Sequence, residues 1–266
     1  MRCIFAALAA LICLSTPSHA ACNKTLKFGM VSYPPYIGFD AQGHAYGLDA
    51  EILDRVMRDV GCDYVLREVP FKRGLRDVKL GTLDGMPGVS KTDERAASAY
   101  FSLPIRREVV GAFVRKTDAR DHNIKSLVEL AASQHKVGVV LGGWYGEAFT
   151  RSVADSAAFR ARIQNSQDFL TLFRWLDAGV VDVAIVDLLS GNHLSREQGL
   201  HDGLEALPFK VNVDNLYLML SKKTFSEDDV ATINDAISRF ADTDDYSAMF
   251  SKHAPENLAP LLQVRR

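Results

Sequence analysis

The stretch Leu83-Asp84-Gly85-Met86-Pro87-Gly88-Val89-Ser90-Lys91-Thr92-Asp93-Glu94-Arg95 decides the fold. Leu83–Val89 is short and apolar and reads as a buried strand, and Arg95–Tyr100 beyond it is helix-like. A loop at the carboxyl end of a buried strand is where open α/β folds place their ligand contacts. Gly88 allows a ligand close to the backbone, Ser90 offers a hydroxyl, and Arg95 a two-pronged donor for a carboxylate. The same residues also read as an ordinary helix start, with Thr92 as N-cap and Arg95 on the surface. Composition alone leaves the two readings level.

Outward from this stretch, strands and helices alternate. Thr25–Val31 is a strand stopped by Pro34-Pro35. Asp49–Val60 carries Ile52, Leu53, Val56, Met57 and Val60 at helical spacing and ends at Gly61. Tyr64–Val69 is a second strand, and Gly74–Leu80 a short helix closed by Gly81. The order recurs downstream: strand Lys136–Leu141, helix Trp144–Val153, strand Ala161–Gln164, helix Phe169–Ala178, strand Val181–Val186. Leu216–Ser221 is a further strand, and Ser226–Phe240 an amphipathic helix with Ser226 as N-cap and acids in its first turn. Such alternation predicts α/β units with mostly parallel sheets, in two lobes.

The other post-strand loops carry candidate contacts. Ser32-Tyr33-Pro34-Pro35-Tyr36 holds two aromatics on a stiff turn, suited either to stacking on a ligand or to packing the loop on the core. Pro70-Phe71-Lys72-Arg73 offers Phe71 as a pocket wall, while Arg73 reads either as a contact to an anionic ligand or, by preference, as a solvated surface charge. Leu141-Gly142-Gly143-Trp144 follows a strand into a predicted helix, whose free N–H groups form an anion site. Asp187 closes an apolar strand, where a carboxylate either meets an ammonium group or caps a helix.

The chain has 266 residues, 47% of them hydrophobic and 24% charged, which excludes a disordered protein. With 31 basic and 33 acidic residues, bulk charge does not support nucleic-acid binding. Residues 1–20, MRCIFAALAALICLSTPSHA, have one early Arg, an apolar run too short to span a membrane, and a small-residue site for cleavage after Ala20. They read as a secretory signal peptide. Of four cysteines, Cys3 and Cys13 leave with it. Cys22 and Cys62 each precede a strand candidate, and if those strands are parallel neighbours the two form a disulfide. The alternative is a pair of buried thiols.

Five motifs in order resemble the periplasmic amino-acid-binding proteins of extracellular solute-binding protein family 3, from Leu26 to about Phe250. Tyr33-Pro34-Pro35-Tyr36 is similar to that family's aromatic-Pro-Pro-aromatic turn. Gly47-Leu48-Asp49-Ala50-Glu51 is similar to its helix start, with Glu51 in place of the usual Asp. Thr92-Asp93-Glu94-Arg95, Phe101-Ser102-Leu103-Pro104, and Gly179-Val180-Val181-Asp182 through Asp187 supply the other three.

The resemblance implies a two-lobed Venus-flytrap fold with two hinge crossings, near Gly111–Val114 and Val213–Leu216. Lobe 1 is then residues 21–112 and 216–266, and lobe 2 residues 113–215. By match, Arg95 pairs with a ligand α-carboxylate, aided by Ser90 and the Gly88-Val89 backbone. Asp187 accepts the α-ammonium, and Tyr33 and Phe71 flank the ligand side chain. A hydroxyl residue is common in the family where this chain has Gly143-Trp144, which leaves backbone groups for the second-lobe contact.

The function implied is a monomeric periplasmic receptor that passes a polar amino acid, or a similar small carboxylate, to an inner-membrane ABC permease. A sensor acting through a membrane signalling partner shares these features. A third class is an enzyme, because the fold hosts a dehydratase in a related family. Catalysis needs an acid or base with a partner, and His44 and His122 have none at motif spacing. The sequence carries no cofactor motif and no metal-ligand spacing.

Overall fold

The structure, a computed structural model, describes residues 20–117, 123–197, 199 and 203–264. Residues 1–19 of the stretch read as a signal peptide, with Cys3 and Cys13, lie outside the described residues, as does His122. After a 3-10 turn come β1 (Leu26–Met30), the paired two-residue strands β2 (Gly38–Phe39) and β3 (Ala45–Tyr46), α1 (Leu48–Val60), β4 (Tyr64–Glu68), α2 (Phe71–Leu80), β5 (Gly85–Ser90) and α3 (Asp93–Ser98). The 17-residue strand β6 (Ala99–Arg115) then leads to α4 (Leu127–Ala132), β7 (Val137–Val140), α5 (Glu147–Asp155), α6 (Ala157–Ala161), β8 (Ile163–Ser166), α7 (Phe169–Asp177), β9 (Val183–Asp187) and α8 (Leu188–Glu197). The 18-residue strand β10 (Leu204–Ser221) returns the chain, and α9 (Glu227–Ala241), α10 (Asp244–His253) and α11 (Ala259–Leu262) follow.

One sheet runs through the molecule in the order β4-β1-β5-β10-β6-β9-β7-β8. Its two ends are parallel triplets, β4-β1-β5 and β9-β7-β8, and each is the core of a lobe. The antiparallel pair β6–β10 joins them. β5 flanks β10 only from Leu216 onward, and β9 flanks β6 only from Val110 onward. Between these points Arg107, Glu108 and Val109 face Asn215, Asp214 and Val213, with neither β5 nor β9 alongside. This is the waist of the protein. Val213–Leu216 overlaps it, whereas Gly111–Val114 is already paired to Val183–Val186 of β9.

The apolar pattern explains the layers. In lobe 2, Val110, Ala112 and Val114 of β6 and Val183 and Ile185 of β9 enter one core cluster, while Val109, Phe113, Ala184 and Val186 enter another. Successive residues point to opposite faces, so a strand covered on both sides must be apolar throughout. The α9 prediction holds in detail: Ser226 and Asp229 form a reciprocal capping box.

Several boundaries differ from the sequence reading. The helix predicted from Gly74 starts at Phe71, because Pro70 caps it and its fixed φ suits that position. The helix predicted from Trp144 starts only at Glu147. Before it, Tyr145 exchanges hydrogen bonds with the backbone of Val140 through its hydroxyl, and the Gly143 N–H donates to Val140 O. Gly142–Tyr145 is therefore a tight turn, and the helix-start anion site anticipated at Gly142-Gly143 does not form.

Cys22 and Cys62 are bonded, with Cα atoms 4.8 Å apart, because parallel pairing of Leu26 with Tyr64 brings the two strand starts together. The bridge spans 40 residues of sequence, and the loop entropy it removes from the unfolded chain is worth about 4 kcal/mol. Replacing both cysteines with serine should lower the unfolding free energy by about 2–4 kcal/mol in a denaturant titration. Reductant should lower the wild-type midpoint and leave that of the variant unchanged.

Candidate functional site

The site is assembled on a buried ion pair. Asp49, in the first turn of α1, accepts from the Nε and Nη2 of Arg106 on β6, the latter at 2.8 Å, and both side chains are fully buried. The Arg106 guanidinium lies 3.5 Å from the centre of the Tyr36 ring. Burial opposes the Arg106 charge, but Asp49 and then Tyr36 more than offset this and hold the guanidinium firmly protonated. The start of α1 is tied to the same turn: the Leu48 and Asp49 N–H groups donate to Pro35 O and Tyr36 O. Gly47, at φ 108°, must be glycine, since a Cβ there would lie 2.6 Å from both carbonyl oxygens. Gly88 is constrained likewise, with φ 69° and a Cβ position 2.3 Å from Asp49 Oδ2. The glycine read as a place for ligand approach is thus equally a seat for the ion pair.

Tyr36 hands this anchor to the second lobe. Its hydroxyl donates to Asp187 Oδ1 at 2.9 Å. The same oxygen accepts from the Leu189 and Ser190 N–H groups at the start of α8, and Oδ2 accepts from the Val109 N–H at 3.1 Å. Asp187 is therefore the cap of α8 as well as a wall of the cleft. Ser190 Oγ adds a 2.6 Å bond to Pro34 O, and the Asp187 N–H donates to the Tyr33 hydroxyl at 3.2 Å.

The cavity between the lobes is lined from both sides. Of the residues anticipated from sequence, Tyr33, Phe71, Gly88, Ser90, Arg95, Gly143, Trp144 and Asp187 line it. Val89 does not: it is buried in the core and pairs with Tyr217 across the sheet. Arg73 is exposed and outside the lining. Arg95 satisfies both readings of its stretch. The Thr92 side chain accepts from its N–H as a helix cap, while its guanidinium enters the cleft, Nη1 donating to Ser90 O at 2.7 Å and Nη2 to Gly142 O at 2.9 Å. The second bond crosses between lobes. The Phe71 ring lies 5.6 Å from the guanidinium carbon.

Glu108, Phe169, Tyr145, Met30, Val110, Val140 and Val186 also line the cavity and were not anticipated. Phe169, at the start of α7, stacks on Tyr33 with ring centres 3.8 Å apart and closes the lobes together. Its apolar helical spacing gave no sign of this. Glu108 stands at the waist, and burial, reinforced by the Asp187 carboxylate, pushes its carboxyl up to about 8. Among the described residues no three His, Cys, Asp or Glu side chains are placed to hold a metal ion. His44 is exposed and contacts Asp40, away from the cleft.

The model of the family described as bacterial extracellular solute-binding proteins, family 3, matches residues 26–256. The chain belongs to this family. No curated protein matches it. Among solved structures, a histidine kinase sensor domain with similarity to periplasmic binding proteins aligns at 19% identity and a TM-score of 0.76, over 88% of this chain and 99% of the other. The substrate-binding protein of an amino acid ABC transporter gives 17% and 0.71, over 86% and 99%. ArtJ, the arginine-, lysine-, histidine-binding protein from the thermophilic bacterium Geobacillus stearothermophilus, gives 21% and 0.72, over 90% and 99%. At these identities the likeness is one of fold. Among the described residues no helix is long and apolar enough to cross a membrane.

Removing one partner of the buried pair leaves an uncompensated charge. Asp49→Ala should cost about 3–5 kcal/mol of unfolding free energy, measured by urea denaturation. The apolar double variant Asp49→Leu/Arg106→Met should lose clearly less than Asp49→Ala alone.

Proposed function

We propose that this member of the family is a monomeric periplasmic solute-binding protein that captures a polar amino acid, or a similar small carboxylate, between its lobes and delivers it to an inner-membrane ABC permease. The observation that carries this reading is one cavity with opposite charges in its two walls. The Arg95 guanidinium stands on the first lobe and the Asp187 carboxylate on the second. A zwitterion needs both ends, and few other small molecules do.

In this reading a ligand carboxylate takes the Arg95 donors that Ser90 O and Gly142 O leave open, together with the Ser90 hydroxyl and the Gly88 backbone. Tyr33 and Phe71 bound the side chain of the ligand, and Gly143 and Trp144 close the cleft from the second lobe. The lobes move about the waist at Arg107–Val109 and Val213–Asn215. A ligand that touches both walls has contacts in the closed form that the open form lacks, and so draws the protein closed. The secretory segment at residues 1–20 and the family's extracellular character support export.

A thermal-shift screen of the purified protein against the standard amino acids tests the proposal. At a hundred times its dissociation constant, a bound ligand adds about 2.7 kcal/mol of stability. At least one amino acid should raise the melting temperature, and Arg95→Ala should abolish that rise. A rise that survives in Arg95→Ala would remove the guanidinium from the site.

A further inference from the structure

Phe169, Asp187 and Ser190 of the second lobe meet the loop after β1 of the first lobe directly. The Phe169 ring stacks on Tyr33 with centres 3.8 Å apart and planes 20° apart. Beside the stack, Ser190 Oγ donates to Pro34 O at 2.6 Å and the Tyr36 hydroxyl to Asp187 Oδ1 at 2.9 Å. The Asp187 N–H donates to the Tyr33 hydroxyl at 3.2 Å. Tyr36 and Ser190 are wholly buried, and Tyr33 and Asp187 nearly so. This contact between the lobes is therefore interior, not a touching of two wet surfaces.

The apolar core has the same continuity. One cluster takes in Tyr36 and Ile37 of the first lobe and Phe173, Val186 and Leu189 of the second, with Phe169 packed against it. The lobes touch again at the mouth of the cleft. There Arg95 Nη2 donates to Gly142 O at 2.9 Å, and a Cβ on Gly142 would lie 3.4 Å from Lys72 Cβ.

Opening the lobes breaks both sets of contacts, at unequal cost. Water takes over the hydrogen bonds, and for that reason their net contribution is modest. Water does not replace the ring stack or the shared apolar core, whose exposure is a net loss. The balance therefore favours closure, and most of it comes from the aromatic and apolar contact beside the waist.

We infer that the closed form is held by the lobes' own contacts, with the Tyr33–Phe169 stack as its latch and the Ser190–Pro34 bond beside it, so that it prevails before any ligand binds. A ligand that bridges the two walls adds to a preference the protein already has. The inference goes beyond the proposed function and holds whichever small molecule occupies the cleft.

Small-angle X-ray scattering tests it on the purified protein, unfolded in guanidinium chloride to release any bound small molecule and refolded with its disulfide intact. No ligand is added, so the outcome is independent of the thermal-shift screen. The wild type should give the scattering curve calculated from the closed structure. Phe169→Ala/Ser190→Ala deletes the stack and the Pro34 bond but leaves α7 its Asp168 cap and α8 its Asp187 cap. It should keep the far-ultraviolet circular dichroism of the wild type and show a larger radius of gyration. The milder Phe169→Leu, which keeps apolar bulk without a ring to stack, should lie between the two. A stripped wild type that scatters as an open two-lobed particle overturns the inference, and so does a folded Phe169→Leu or double variant as compact as the wild type.

Discussion

The buried pair between Asp49 and Arg106 is the constraint on which the rest of the structure depends. Two charges without water are tolerated only where the geometry is good and the remaining donors are used. Here the fork of Arg106 meets both oxygens of Asp49, Nη1 reaches Arg107 O, and the Tyr36 ring covers the guanidinium face. The pair fixes α1 against the first half of the crossing strand β6. It also dictates glycine at position 88 and aims the Tyr36 hydroxyl at Asp187.

That chain of contacts places the two walls of the cleft relative to each other. Asp187 caps α8 and takes the Val109 N–H beside the waist, so the second lobe is referred to the same anchor as the first. Arg95 is held separately, by its own helix cap and by carbonyl oxygens from both lobes. The positive wall is thus adjustable, since a ligand carboxylate is a stronger acceptor for a guanidinium than a peptide carbonyl. The negative wall is rigid, because four hydrogen bonds and near-complete burial hold Asp187.

Much of this was legible in the sequence, and the exceptions have physical reasons. The lobes could be read because β1, β5, β7 and β9 are short apolar runs punctuated by Gly and Pro, and because cleft residues follow strand ends. The disulfide was legible as a condition on two parallel strands, and those strands pair. Of the long strands, β10 was legible only over its last part, Leu216–Ser221, and β6 was not. β6 contains Pro104, Arg106, Arg107 and Glu108, a pattern no ordinary strand carries. The sheet accommodates Pro104 at a shift of register, where the Ser102 hydroxyl accepts from the Leu218 N–H. Arg106 is a fully buried charge whose partner lies 57 residues earlier, beyond any local pattern. Glu108 escaped notice for the same reason: only the pairing of β6 with β10 brings it to the cavity. Phe169 looked like a core residue of α7 because its spacing is that of a core residue.

The central claim is that a ligand bridges a cation on one lobe and a carboxylate on the other. The most direct measurement is a crystal structure of the protein grown with the amino acid that stabilises it most. The account predicts density in the cavity with the ligand carboxylate on the Arg95 guanidinium and its ammonium group within hydrogen-bond distance of Asp187. A ligand bound elsewhere, or one lying in the cavity while Arg95 donates only to Ser90 O and Gly142 O, would contradict it.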